Sequence, residues 1–271
     1  MALLLGKHLM SLTDQLRVEP VDKKLAATYR GIPVVDTTAA MLVWEPRRVV
    51  PMYAVPPADL HAGLVPCGPA PVPDDLPPVL GPENFAWHLG AGQSYDVAVD
   101  GQVLEASAFR PDDPDLEGRV ILDWAPFEWT EEAQPVTGHP HDAFKRIDAL
   151  PSDRHVTVSA HGQVLADSRR TVALYETHLP VRWYFPSDDV APDLLQPSTS
   201  TSVCAYKGDA TYFSLRDGGP EDVDIAWTYP APLLDATAVK DYICFYAERT
   251  DLTVDGIDVP RPRTLWSPPD P

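Results

Sequence analysis

The sequence is poor in cysteine and in long apolar runs. Its 271 residues include three cysteines, Cys67, Cys204 and Cys244, with no CxxC spacing. An odd, dispersed set fits neither a disulfide framework nor a four-cysteine zinc site, so we expect reduced thiols in a cytoplasmic protein. The N-terminal apolar stretch is too short for a signal-peptide core, and no segment reaches the roughly 20 apolar residues that span a bilayer. We therefore expect no membrane partner.

Basic residues are also scarce: 21 Lys and Arg stand against 40 Asp and Glu, which gives a formal net charge of −19. Such a charge repels nucleic-acid phosphates, so we expect no nucleic-acid partner. The sequence contains no Gly-rich phosphate loop, P-loop, nucleophile elbow or metalloprotease motif. Several common enzyme classes are thereby excluded.

Proline is abundant, with 31 residues spread through the chain, and this excludes long helices over most of it. Period-two alternation around turn residues predicts hairpins at Val156–Ala166 and at Tyr95–Leu104, with His161-Gly162 and Asp100-Gly101 in the turns. The only helical signal in the second half is at Leu233–Lys240. The predicted fold is mainly β: two tandem small antiparallel β domains, each a sandwich or partly closed barrel, with one short helix each at most.

An internal repeat supports the two-domain organisation. Lys23–Tyr53 aligns without a gap on Arg154–Tyr184, 131 residues later, and pairs Glu45 with Glu176 and Tyr53 with Tyr184. The predicted organisation is a first, diverged β domain (1–138) with a proline-rich insert at about 66–82, a joint (139–153), a second β domain (154–259) and a tail (260–271) that could dock through Trp266.

Cys204 and Lys207 are the candidate catalytic residues. A thiol three residues before an ammonium group, at a strand end closed by Gly208, has a neighbour that favours its thiolate form. The opposite interpretation is that Cys204 is a small buried hydrophobic residue and Lys207 a solvated turn residue. The first copy lacks both residues, which favours a chemical role in the second.

Candidate ligand-binding residues surround this pair in the sequence. On a continuing strand, Glu176 and His178 would share a face, where a carboxylate and an imidazole can hold a polar ligand. The alternative is an exposed sheet face in which Glu176 pairs with Arg169 or Arg182. Arg169 is a further candidate ligand-binding residue. The remaining candidates are aromatic side chains that would line an apolar pocket or pack in the core, Tyr184 and Trp227.

No metal site or cofactor is predicted. His139-Pro-His141-Asp142 offers two imidazoles and one carboxylate, but it lies in the expected joint, where the ligands would be poorly fixed.

Several motifs together resemble a bacterial family called domain of unknown function 427, which also carries a nucleotidyltransferase-like name. These motifs are Gly162–Ser168, Tyr175–Pro180, Trp183–Pro186, Cys204–Gly208 and Trp227–Pro232. The resemblance covers the second copy throughout, and it implies a compact β-rich domain with no established reaction. Ala205 departs from the proline that commonly follows the cysteine in the family. No paired-aspartate metal site or phosphate loop supports nucleotidyl transfer.

Two functions remain open on these residues. The first is a small-molecule-binding or enzymatic protein of the bacterial cytosol, with its site in the second copy. The second is a non-catalytic tandem β scaffold that binds a protein partner. A pocket that unites Cys204, Lys207 and Glu176 would favour the first, and the same residues scattered on a convex face would favour the second. The oligomeric state is not predicted.

Overall fold

A computed structural model describes residues 2–264 and 267 of the chain. The chain divides into two compact units, unit 1 (Met1–Ala143) and unit 2 (Phe144–Pro271). Trp266, the expected anchor of the tail, lies outside the described residues. No helix among the described residues is long and apolar enough to cross a membrane.

Short antiparallel strands dominate both units, as the alternating sequence predicts. In unit 1 the described residues form the helix α1 (Leu5–Met10) and the strands β1 (Arg17–Pro20), β2 (Leu25–Tyr29), β3 (Ile32–Thr37), β4 (Met41–Trp44), β5 (Met52–Val55), β6 (Gly63–Cys67), β7 (Gly92–Val99), β8 (Gln102–Pro111), β9 (Val120–Leu122), β10 (Glu128–Glu131) and β11 (Gln134–Val136). Three 3-10 turns lie at Pro57–Asp59, Pro82–Asn84 and Pro114–Leu116.

Unit 2 repeats this series. Its strands are β12 (Ile147–Pro151), β13 (Val156–Ala160), β14 (Gln163–Ser168), β15 (Val172–Glu176), β16 (Arg182–Pro186), β17 (Leu195–Cys204), β18 (Gly208–Leu215), β19 (Ala226–Thr228), β20 (Tyr242–Phe245), β21 (Asp251–Val254) and β22 (Ile257–Val259). Four 3-10 segments lie at Ser187–Asp189, Pro192–Leu194, Pro220–Asp222 and Leu234–Val239. The expected helix at 233–240 is the last of these. Both predicted hairpins are present, and positive φ at Asp100-Gly101 and His161-Gly162 closes them.

Each unit contains one seven-stranded and one four-stranded antiparallel sheet. In unit 1 the orders are β1-β4-β5-β9-β8-β7-β6 and β11-β10-β2-β3. In unit 2 they are β12-β15-β16-β20-β19-β18-β17 and β14-β13-β21-β22, which is the same order with every strand number raised by eleven. All four sheets are open, so of the two expected architectures the sandwich is the one observed.

Both faces of each seven-stranded sheet are buried. The inner face packs against the four-stranded sheet; in unit 2 it contributes Ala173, Phe185 and Phe245 to one core. The outer face carries a second apolar cluster that includes Leu174 and Cys244. Alternation along each strand assigns neighbouring residues to opposite faces, so a shift of one residue moves a side chain from one cluster to the other.

The strand registers correct the sequence alignment of the two copies. The spacing of 131 residues holds through β4, because Pro20 faces Met41 as Pro151 faces Val172. In the next pair Met41 faces Ala54, whereas Val172 faces Tyr184. Tyr184 therefore corresponds to Ala54, and the expected match with Tyr53 is wrong. The loop after Glu176 is one residue shorter than the loop after Glu45.

Candidate functional site

The site lies on the outer face of the seven-stranded sheet of unit 2, at one end of the β17–β18 hairpin. Cys204 ends β17 and pairs directly with Gly208, the first residue of β18. Gly208 has φ +90°, a conformation that favours glycine, and its α-carbon faces the backbone at Ala231. This tight turn, residues 205–207, places Lys207 next to the cysteine thiol.

Lys207 is a buried cation held by a buried carboxylate. Its ammonium Nζ lies 2.5 Å from Oε2 of Glu176, and the two side chains are 10% and 7% exposed. Burial favours the neutral amine, but the charges and hydrogen bonds of Cys204 and Glu176 outweigh it, so the pKa of Lys207 is raised. The lysine therefore stays charged beside the thiol.

Glu176 also forms an ion pair with a second lysine, Lys145, which the sequence analysis did not identify. Nζ of Lys145 lies 3.4 Å from Oε1 of Glu176, and the Lys145 side chain is 25% exposed. Burial of Glu176 opposes ionisation, but the two ammonium groups prevail and its pKa is lowered. The site thus joins two cations, one carboxylate and one thiol.

Aromatic side chains form the floor of this cluster. Tyr184 is 1% exposed, and its hydroxyl accepts a hydrogen bond from the indole N–H of Trp227 at 3.1 Å. Burial raises the pKa of both Tyr184 and Tyr229. These phenols stay protonated at neutral pH, and the polar atoms of Tyr184 and Trp227 bond to each other.

Three residues named in the sequence analysis do not join the cluster. β15 ends at Glu176, and His178 sits in the following turn at φ +67°, exposed, so the expected shared strand face is absent. Arg169 is exposed and is an electrostatic neighbour of Asp255. Arg182 pairs with Glu248 rather than Glu176. The predicted pairing of Glu176 with Arg169 or Arg182 is wrong, because the lysines occupy its oxygens.

Unit 1 carries a different polar cluster at the corresponding place, also missed from the sequence. His88 stands four residues before β7, as Cys204 stands four residues before β18. Its Nδ1 lies 2.8 Å from Oε2 of Glu45 and its Nε2 lies 3.3 Å from Oδ1 of Asp123. Arg48 is fully buried and its Nε lies 3.3 Å from Oε2 of the same Glu45. Burial opposes protonation of His88, but the two carboxylates outweigh it and raise its pKa.

One group of described residues has the composition of a divalent-metal site. His161, Glu221 and Asp222 place one ligand atom each within 4.8 Å of one another. Asp222 is already engaged, because its Oδ2 accepts the backbone N–H of Gly219 at 2.8 Å and its Oδ1 lies 2.9 Å from His161 Nε2. The suspected histidines lie elsewhere: His141 approaches Glu131 at 3.2 Å, and His139 approaches the carbonyl of Pro140.

A cavity of about 310 Å³ opens on the other side of the sheet in unit 2. Its walls are largely apolar and include Trp183 and Ala247 from the inner face, together with Leu252 and Ile257 from the four-stranded sheet. It does not border Cys204 or Lys207. The polar cluster and the apolar cavity are therefore separate features.

Comparison with known proteins finds one family model that matches part of unit 2. Residues 148–256 match the family model described as Domain of unknown function (DUF427). The matched region contains Glu176, Cys204 and Lys207, and it confirms the resemblance seen in the sequence motifs. No curated protein matches the chain.

Proposed function

We propose that unit 2 binds a small molecule at the Cys204 cluster and reacts with it through the cysteine sulfur. The observation that carries this proposal is that Cys204 neighbours the buried Lys207. Nζ of Lys207 donates a hydrogen bond of 2.5 Å to Oε2 of Glu176, which holds the lysine in place. A solvated turn lysine would need no such carboxylate, and burying a charge requires a partner. The three residues meet at one place instead of being scattered over a surface, and this supports an enzyme or binding protein more than a scaffold.

The proposed step is nucleophilic substitution or addition by the thiolate. The thiol proton passes to solvent, because Lys207 is already charged. The sulfur then forms a bond to an electrophilic carbon of the ligand. In a substitution, the bond to the leaving group breaks and its electron pair departs with that group. In an addition, the π bond of the electrophilic carbon breaks and its electron pair takes a proton from water. Lys207 stabilises the thiolate electrostatically and remains an ammonium throughout.

Glu176 acts as a positioning residue. Its lowered pKa keeps it ionised, and both oxygens face lysines, so it is a poor proton acceptor. Its role is to hold Lys207 in place, and its own charge opposes the thiolate. Removing the charge of Lys207 should therefore lower the reactivity of the thiol, and removing the charge of Glu176 should not.

The test is site-resolved alkylation of the native protein by iodoacetamide at pH 7, read by peptide mass spectrometry. Cys204 should label first. Cys244 is fully buried, which raises its pKa, and burial together with Asp96 raises the pKa of Cys67, so both should label slowly and serve as internal controls. Lys207→Met should slow the alkylation of Cys204 by about tenfold or more. The reason is that a unit charge in contact with the thiolate stabilises it by more than about 1 kcal/mol at a partly buried site. Circular dichroism confirms that the variant is folded.

Glu176→Gln provides the matched second variant. Its amide oxygen still accepts a hydrogen bond from Lys207, so the lysine keeps its place, and the opposing negative charge is removed; Cys204 should therefore label at least as fast as in the native protein. If Cys204 resists labelling until the protein is denatured, or labels at the same rate in Lys207→Met, the thiolate proposal is wrong.

We also infer that the two units are tandem copies in a protein of the bacterial cytoplasm. The common strand order supports duplication, and Glu45 and Glu176 take the same place in both. The free thiols of Cys67, Cys204 and Cys244 suit a reducing compartment. Comparing thiol content in the native cytosol and after purification tests the compartment.

A further inference from the structure

We propose that the ligand of the Cys204 site carries an anionic group next to its electrophilic carbon, and that Lys145 selects for that group. This inference rests on the proposed function. It concerns which molecule the thiol meets, whereas the proposed function concerns whether the thiol reacts at all.

The charge balance of the cluster carries the argument. Glu176 is flanked by Lys207 and Lys145, and Cys204 is the other electrostatic neighbour of Lys207. Apart from the sulfur itself, two cations face one carboxylate, so the groups around the sulfur hold one excess positive charge. This lies within a chain whose formal net charge is −19. An anionic ligand is therefore repelled by the general surface and attracted at this place.

The two lysines are held differently, and the difference assigns their roles. Lys207 contacts Glu176 at 2.5 Å and is 10% exposed, so it is committed to the interior of the site. Lys145 stands 3.4 Å from the same carboxylate and is 25% exposed. A looser and more accessible ammonium can turn toward an incoming carboxylate or phosphate without leaving a buried charge behind. Lys145 is thus the group that meets the ligand.

The aromatic neighbours supply no competing negative charge. Burial raises the pKa of Tyr184 and of Tyr229, so both remain neutral. Arg182 and Glu248, on the same face of the sheet, neutralise each other through two contacts of 2.7 Å. The excess charge of the lysines is therefore not cancelled by these neighbours.

The experiment compares two alkylating agents of similar size that differ in charge. Iodoacetate is anionic and iodoacetamide is neutral; in both, the sulfur displaces iodide from the CH₂ carbon. The rate ratio of iodoacetate to iodoacetamide at Cys204, divided by the same ratio for 2-mercaptoethanol, an uncharged thiol, isolates the effect of the site. We expect a normalised ratio of about five to ten in low salt, falling toward one in about 1 M NaCl as screening shortens to about 3 Å.

Lys145→Met should reduce the normalised ratio of the two rates to near one. Arg170→Met is the matched control, because it removes one positive charge from an exposed pair with Asp189 elsewhere in unit 2. It should leave the ratio unchanged.

The outcomes separate the two proposals. If Cys204 does not react with iodoacetamide in the native protein, the proposed function fails. If it reacts but the normalised ratio is one or less, or is unaffected by Lys145→Met, the anionic-ligand inference is overturned and the reactive thiol stands. A drop in the ratio for Arg170→Met equal to that for Lys145→Met also overturns it, since net charge alone would then explain the effect.

Discussion

The ion pair of Arg182 and Glu248 allows a quantitative test of how the floor of the site is built. The guanidinium donates two hydrogen bonds of 2.7 Å to the carboxylate, and the residues are 6% and 2% exposed. The guanidinium carbon also lies 5.6 Å from the ring centroid of Trp227 and 5.7 Å from that of Tyr246. Removing one partner leaves the other charge buried, with little water to replace the lost bonds.

Breaking such a pair typically costs about 3–5 kcal/mol, and replacing both members with apolar residues of similar size is often neutral or stabilising. Unit 1 indicates which residue to use. Arg182 faces Leu174 as Met52 faces Val43, so Met52 is the natural apolar counterpart of the arginine. We predict that Arg182→Met and Glu248→Leu each destabilise unit 2 by about 3 kcal/mol or more, and that the double variant lies within about 1 kcal/mol of the native protein.

Amide hydrogen exchange read by mass spectrometry is the assay, because peptides from β16 and β20 report the opening of unit 2 separately from unit 1. A decrease of about 3 kcal/mol in the free energy of unfolding of unit 2 corresponds to more than a hundredfold faster amide exchange in these peptides. Peptides from β5 and β9 are the internal reference and should not change. Additive losses in the double variant would refute the reasoning, since each residue would then stabilise unit 2 independently of the other.

Two further predictions concern unit 1. Because the pKa of His88 is raised in the folded state, its contribution to stability is complete below the unfolded value of about 6.5 and is lost as the pH rises through the folded value. Urea unfolding between pH 6 and 9 should show this loss in the native protein and not in His88→Gln. A methyl group at Gly92 would clash with the backbone carbonyl oxygen of Arg110, so Gly92→Ala should lower the free energy of unfolding by about 1–3 kcal/mol. Gly68→Ala, with open space around it, should change it by less than about 0.5 kcal/mol, and equal effects would contradict the packing argument.

Local sequence patterns predicted the hairpins and the contact of Cys204 with Lys207, because these depend on neighbours along the chain. The turn glycines and the period-two alternation are sufficient to fix β13–β14 and β7–β8. The same reasoning failed at Tyr53 and Tyr184. Two identical aromatic residues suggested a gapless match, but the loop lengths differ by one residue and the side chains point to opposite faces of the sheet.

Contacts across the sheet could not be predicted in this way. Lys145 reaches Glu176 because β12 pairs with β15, and nothing in either segment alone indicates that pairing. His88 was overlooked for a related reason. Its partners Glu45 and Asp123 lie 43 and 35 residues away along the chain, so only the fold brings these carboxylates to the imidazole.

The two units therefore keep one frame and differ in the polar groups that it presents. Glu45 and Glu176 occupy the same place, but the first meets an imidazole and a guanidinium and the second meets two ammonium groups. Both ring nitrogens of His88 face carboxylates, so a second charged neighbour rather than a reactive group completes that cluster. In unit 2 the corresponding position holds a thiol, a group that reacts with carbon electrophiles. This difference, rather than the mere presence of buried charges, is the structural reason to assign the chemistry to Cys204.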